Sequence, residues 1–168
     1  MILISLLKLV RDDAKFRTTT RNFLNLWLSS PGFRCLILLR FQSLCYQRGY
    51  YKLSNYIRFR MLLRYSLDSV PGCTIGKGFK IEHPVGIVIG KGVVIGDFVT
   101  LAGNVTLGEK FIDSRSNGSY PRLGNRISVG SGAIILGNTF VGDDVTIGAG
   151  SIVLRSVNPG STVVGLHK

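Results

Sequence analysis

Residues 123–154 read LGNRISVGSGAIILGNTFVGDDVTIGAGSIVL, and the period of this stretch decides the fold. Aliphatic side chains fall at Leu123, Val129, Ile135, Val141, Ile147 and Val153, each six residues from the last. Four residues after each comes a small or β-branched one: Ile127, Ala133, Thr139, Val145, Ser151 and Val157. Upstream the same ladder runs through Ile89, Ile95, Leu101 and Leu107, and, across a slip of two residues, through Ile75 and Ile81. A plain strand alternates faces with a period of two and has no need of six. A triangular coil does. Each six-residue unit makes one flat side and one corner, with the aliphatic residue inside and the small one near the corner. Glycine follows the aliphatic residue at eight of the twelve sites named, where it is expected to supply the positive φ of a turn. Stacked coils then share one continuous core. Residues 67–168 are therefore expected to be mainly β, a parallel β-helix with one break in the repeat at loop 109–121.

Residues 1–66 lack this period and read as an α-helical N-terminal segment. Apolar-rich runs cover Ile2 to Phe16 and Asn22 to Leu28. Ser29-Ser30-Pro31 opens a third helix, with serine as cap and proline in the first turn. Gly49 closes it, and a last helix runs roughly from Lys52 to Tyr65. Part of this segment is expected to cover the first coil near Cys73, because a solenoid end exposes apolar surface and unpaired strand edges.

The chain has 168 residues, 45% of them hydrophobic, and 21 glycines, which argues against disorder and for many tight turns. Its three cysteines, Cys35, Cys45 and Cys73, are odd in number and show no CxxC spacing. They read as free thiols in a reducing compartment. No apolar run reaches the ~20 residues of a membrane span, and the start of the chain is unlike a secretory signal, so a cytoplasmic protein is expected. The net charge is +12. Residues 1–66 hold twelve Lys or Arg against Asp12 and Asp13, the remainder nine against seven acids. Such an excess fits a solvated basic surface or attraction to an anionic one. If Arg34, Arg40, Arg58, Arg60 and Arg64 share a face, peripheral contact with the inner face of a membrane is expected. No nucleic-acid-binding motif accompanies the charge, and nucleic acid is not an expected partner.

The stretches IGKGFKIEHPVGIVIG (75–90) and ILGNTFVGDDVTIGAGSIVL (135–154) resemble the hexapeptide-repeat acyltransferases, and within them the catalytic region of the serine acetyltransferases. The similarity spans residues 68–166. In length and helical prefix the chain is also similar to the bacterial exopolysaccharide O-acetyltransferases of the colanic-acid type. The resemblance implies a left-handed coil, a homotrimer and acetyl-CoA as donor, with no metal.

At the family's catalytic position stands His83, and an imidazole of pKa near 6.5 suits removal of a hydroxyl proton at neutral pH. Asp68 falls where the family has the carboxylate that orients this base, so the resemblance implies a dyad. Ser131 and Ala149 match positions whose backbone meets the pantetheine arm, and Arg155 and Lys168 are candidates for its phosphates. Asn104 is a candidate oxyanion donor. On the acceptor side, Glu82 stands where the family has Asp, and Ser119-Tyr120-Pro121 where it has Arg-His-Pro. Glu82 and Tyr120 are the candidate acceptor contacts, with Arg115 and Arg122 nearby in sequence. The missing arginine removes a partner for an amino-acid carboxylate. The expected acceptor is therefore a glycan or lipid-linked sugar in surface polysaccharide assembly, with serine or another small molecule, or an inert structural solenoid, as alternatives. Two histidines in all are too few for the three zinc ligands of a γ-type carbonic anhydrase. Cys73 lacks an evident base partner for nucleophilic work. His167 reads as part of an unrelated tail.

Overall fold

The computed structural model describes residues 2–17, 23–110 and 118–168. Four helices precede the β structure: α1 (Ile2–Arg17), α2 (Phe23–Ser29), α3 (Pro31–Gln47) and α4 (Tyr51–Tyr65). Ser30 caps α3, its hydroxyl accepting from the Phe33 N–H at 3.2 Å, with Pro31 in the first turn. Helix α4 stops at Ser66, whose left-handed φ of 51° turns the chain into the first coil.

Three parallel sheets follow, one for each side of a triangular prism. Sheet I stacks β1 (Asp68–Ser69), β4 (Val88–Ile89), β7 (Thr106–Gly108), β10 (Ile134–Leu136), β13 (Ile152–Val153) and β15 (Leu166–His167). Sheet II stacks β2 (Thr74–Ile75), β5 (Val94–Ile95), β8 (Arg122–Leu123) and β11 (Phe140–Val141). Sheet III stacks β3 (Lys80–Ile81), β6 (Thr100–Leu101), β9 (Ser128–Val129), β12 (Thr146–Ile147) and β14 (Thr162–Val163). Register puts like on like, Leu101 on Val129 and Val129 on Ile147. The six aliphatic residues of the period are all buried, none more than 3% exposed. His167 belongs to this ladder, in β15 beside Val153, and is not tail.

The glycines that follow the aliphatic residues serve a different purpose from the one expected. They do not carry the positive φ, which falls two residues later, as at Gly132, or on other residue types, as at Asn104. What they provide is clearance. A Cβ on Gly96 would run into the Gly124 carbonyl, and one on Gly130 into the Ala149 amide, in the next coil. Coils stacked at strand spacing leave no room there.

The first coil is closed by a single arginine from α3. Arg40 is 5% exposed and forms a two-pronged ion pair with the fully buried Asp13 of α1, at 2.9 and 3.0 Å. Its remaining N–H groups donate to the Ile75 and Gly76 carbonyls. Asp13 also accepts the Phe79 N–H at 2.9 Å. Burial pushes the Asp13 carboxyl up, against the pull of Arg40 and the backbone amides. Gln42 donates to the Ser69 carbonyl at 2.7 Å. Polar backbone at the solenoid's open end is thus satisfied by side chains. Arg40 therefore cannot face a lipid surface, and neither can Arg58, which is paired with Asp68. The arginine face expected for membrane contact is reduced accordingly. No helix among the described residues is long and apolar enough to cross a membrane.

Arg40→Ala leaves a buried carboxylate without its counter-charge and removes the donor to two carbonyls, so it is expected to cost about 3–5 kcal/mol of folding free energy. Urea unfolding followed by circular dichroism checks this; a loss under ~1 kcal/mol contradicts the capping role.

Candidate functional site

The turns leading from sheet III to sheet I form one corner of the prism, and most expected site residues lie along it. These turns hold residues 82–87, 102–105, 130–133 and 148–151. The Asn104 N–H donates to the Val85 carbonyl at 2.7 Å, Gly132 to Gly103 at 3.0 Å, and Gly150 to Ser131 at 2.8 Å. His83, Asn104, Ser131 and Ala149 are therefore brought to one edge, all four exposed. Small residues there leave the backbone open to a ligand that runs down the corner.

The two-residue slip between Ile81 and Ile89 lies at the head of this edge. The first turn is longer by those two residues, and it folds on itself through a Val85 N–H to His83 carbonyl bond of 2.8 Å. Gly86 completes it with φ +67°. The extra length lifts His83 out of the wall. Beneath it lies Gly103, where a Cβ would come within 3.1 Å of the His83 carbonyl and 3.3 Å of its Cβ. Sequence reasoning missed Gly103, although a glycine two residues after Leu101 is a departure from the repeat that could have drawn notice.

His83 faces a cleft of about 1160 Å³ between the solenoid and the helices. Ser29, Ser30, Pro31 and Arg34 line one side, Arg64, Tyr65 and Ser66 another, and Lys80, Glu82, His83, Pro84 and Val85 the floor. Glu82 pairs with Lys80 at 2.5 Å. The cleft walls thus contain three cations and one carboxylate.

Asp68 is placed beside Val88 in sheet I, but the expected dyad contact is not formed. Both of its carboxylate oxygens accept from Arg58 of α4, at 2.5 and 2.8 Å, and among the described residues no hydrogen bond joins Asp68 to His83. Arg58 was not singled out as an Asp68 partner, because nothing in a helical sequence tells which strand carboxylate it will meet.

Tyr120 lies at a different corner. Its ring covers Gly90 and Gly92 in the turn from sheet I to sheet II. Burial, and then the hydrogen bond to Glu109, push its phenol up. It does not meet His83 within one chain. Arg155 and Lys168 follow β13 and β15, so they sit across sheet I from Ser131 and Ala149. Arg122 projects from sheet II, between Val94 and Phe140. Arg115 lies outside the described residues, as does most of loop 109–121. Cys73 is 8% exposed and burial pushes its thiol up, which disfavours a thiolate nucleophile. Among the described residues no group of three or more His, Cys, Asp or Glu is gathered that could hold a metal.

A six-residue-repeat prism with a lifted histidine at the head of an open backbone edge defines the class: a left-handed β-helix, hexapeptide-repeat acyltransferase. No family model matches the chain. Individual proteins do. A serine acetyltransferase of Helicobacter pylori is 37% identical over 163 residues, 96% of this chain and 91% of that protein. One from Synechococcus elongatus is 37% identical over 87% of this chain, which spans 59% of it. Among solved structures, the Neisseria gonorrhoeae serine acetyltransferase aligns with a TM-score of 0.87 at 30% identity over 96% of this chain and 64% of that one. The soybean serine acetyltransferase complexed with serine gives 0.88 at 30%, over 96% and 67%. The chain belongs to the serine acetyltransferase family.

This overturns the expectation of a polysaccharide acceptor. The short helical prefix is no mark of an exopolysaccharide enzyme, because the alignment with the H. pylori relative spans nearly its whole length.

Gly103→Ala is expected to push His83 by a few tenths of an ångström and to lower turnover about tenfold, with the melting temperature little changed. Kinetics and thermal melts of the purified variant check it.

Proposed function

We propose that this chain transfers the acetyl group of acetyl-CoA to the hydroxyl of L-serine. The observation that carries the reading is the position of His83, exposed at the head of the Asn104–Ser131–Ala149 edge and at the mouth of the helix-walled cleft. The acceptor enters through the cleft and the donor lies along the edge, so hydroxyl and thioester meet at the imidazole. His83 takes the hydroxyl proton as the oxygen attacks the thioester carbon. The tetrahedral intermediate collapses with cleavage of the C–S bond, and the sulfur leaves with the proton held on the imidazolium. Asn104, on the same edge one coil along, is placed to steady the oxyanion. Ser131 and Ala149 offer exposed backbone to the pantetheine amides. Arg155 and Lys168 supply positive charge across sheet I for the phosphates. Asp68, whose carboxylate is held by Arg58, is the candidate group for orienting the imidazole of His83.

The same reading includes a homotrimer. The outer face of sheet III is polar, with Lys80, Thr100, Ser128, Thr146 and Thr162. That of sheet I is largely apolar, with Val88 38%, Ile152 37% and Leu166 56% exposed beside Ile134. Association through sheet I covers this apolar strip and makes the donor edge a groove between subunits. Only across such a boundary does Tyr120 come within reach of a His83.

His83→Ala and His83→Asn are expected to lose ~10²–10⁴ in turnover while keeping the wild-type circular dichroism spectrum. CoA thiol release with L-serine, and mass detection of O-acetylserine, provide the measurement; wild-type rates in His83→Ala refute the mechanism. Sedimentation at assay concentration is expected to show a trimer, and a fully active monomer would refute that part.

A further inference from the structure

The serine acetyltransferases carry an arginine in the loop at the place where this chain has Ser119, so the carboxylate of the acceptor needs another partner. The cleft supplies one from an unrelated part of the chain. Four arginines of the described structure have their charge answered or placed at the surface. Arg40 is bound to Asp13 and two carbonyls, Arg58 to Asp68, and Arg126 to Asp144, while Arg122 projects from the outside of sheet II. Arg34 differs. It is half-buried on α3 and lines the cleft that His83 also lines, as well as a second cavity with Trp27, Leu38 and Tyr56. Its Nε is enclosed with no hydrogen-bond partner among the described residues. Its one hydrogen bond among the described residues, from Nη1 to the Leu28 carbonyl, is a long 3.4 Å. Nε is closed off from solvent, so the terminal Nη groups are the ones a ligand in the cleft could meet.

Its surroundings favour an anion. Arg64, exposed at the last turn of α4, lines the same cleft, with its guanidinium over the Tyr65 ring at 5.7 Å and no carboxylate partner among the described residues. Lys80, paired with Glu82, is on the floor, and Ser30 and Pro31 at the N-terminal end of the 17-residue helix α3 line the same cleft. The one acid in the wall among the described residues, Glu82, adjoins His83 and pairs with Lys80, a cation whose place an ammonium group would share. Two arginines, a carboxylate and the base thus line one cleft, the kinds of group that an α-amino acid bearing a hydroxyl would call on.

We infer that Arg34, seconded by Arg64, is the carboxylate anchor of the acceptor site, so that in this chain the helical segment does the work that the loop arginine does elsewhere in the family. The fork of Arg34 grips the carboxylate through paired N–H groups, Glu82 takes the ammonium, and the hydroxyl is left toward His83. The inference rests on the serine reading of the site.

The test compares L-serine with L-serinamide, which keeps the amine and the hydroxyl but lacks the carboxylate, using CoA thiol release by the full chain. Wild type is expected to prefer serine. Arg34→Gln is expected to lower kcat/KM for serine by roughly 10–100-fold, mostly through KM, while serinamide and acetyl-CoA parameters stay within about threefold. Arg34→Lys, which keeps charge but loses the fork, is expected to fall between, and Arg64→Gln to show a smaller loss of the same kind. Arg64 is exposed, so its variant carries the test even if Arg34→Gln does not fold. An unchanged preference for serine over serinamide in the folded variants of both arginines overturns the inference while leaving the serine reading intact. A wild-type chain that releases CoA with neither compound overturns both.

Discussion

Everything in this molecule depends on the register in which one coil sits on the next. Three six-residue units make a turn, and the parallel pairing holds Thr100 on Ser128 on Thr146 and Val88 on Thr106 on Ile134 without drift. A residue at a corner therefore has a counterpart at the same corner one coil away. That is how residues far apart in sequence, such as Asn104 and Ala149, become neighbours of one exposed backbone edge without any side chain reaching across. The same stacking sets the glycines after the aliphatic residues. Their lack of a side chain answers to the coil above, as at Gly96 under Gly124, and not to the turn.

Stacking has a cost at the ends, where the pattern stops and backbone and core face water. The chain meets it at the first coil with charge rather than with apolar cover alone. Arg40 and Asp13 neutralise one another and between them bind the Ile75, Gly76 and Phe79 backbone groups. A buried pair of this kind contributes little net stability, because desolvation offsets attraction, but removing one partner is expensive. Its effect is to tie α1 and α3 to one orientation over the solenoid, and that orientation sets where Arg34 and Arg64 stand relative to His83.

The solenoid was legible in the sequence because its period is local and repeated; one coil predicts the next. The helix boundaries were legible from Ser30, Pro31 and Gly49, each with its own backbone reason. His83 was legible twice over, through its motif and through the slip between Ile81 and Ile89, the place where the coil gives up its regularity to lift a side chain. The arginines of the helical segment were not legible individually. Their number suggested a field over a surface, whereas Arg40 and Arg58 each answer one carboxylate whose position is fixed only by tertiary packing. The surroundings of Asp68 were hidden for the same reason. Its spacing from His83 agrees with a dyad, and spacing cannot register that Arg58 takes both oxygens.

The acceptor was misread through a related error of scope. The loop position of the absent arginine was treated as the only place from which a carboxylate could be met. A cleft formed by three separate segments, α3, the end of α4 and the turn at His83, does not impose that. A cation on any of its walls serves, and the wall that holds Arg34 lies well before the repeat begins. A half-buried guanidinium whose terminal nitrogens make one long hydrogen bond and face no carboxylate among the described residues is a ready partner for an acidic group in the cleft. Folded proteins keep such groups where a ligand repays them, so the best indication of the acceptor's chemistry is the donor that the fold leaves unmet, rather than the residue that the loop has lost.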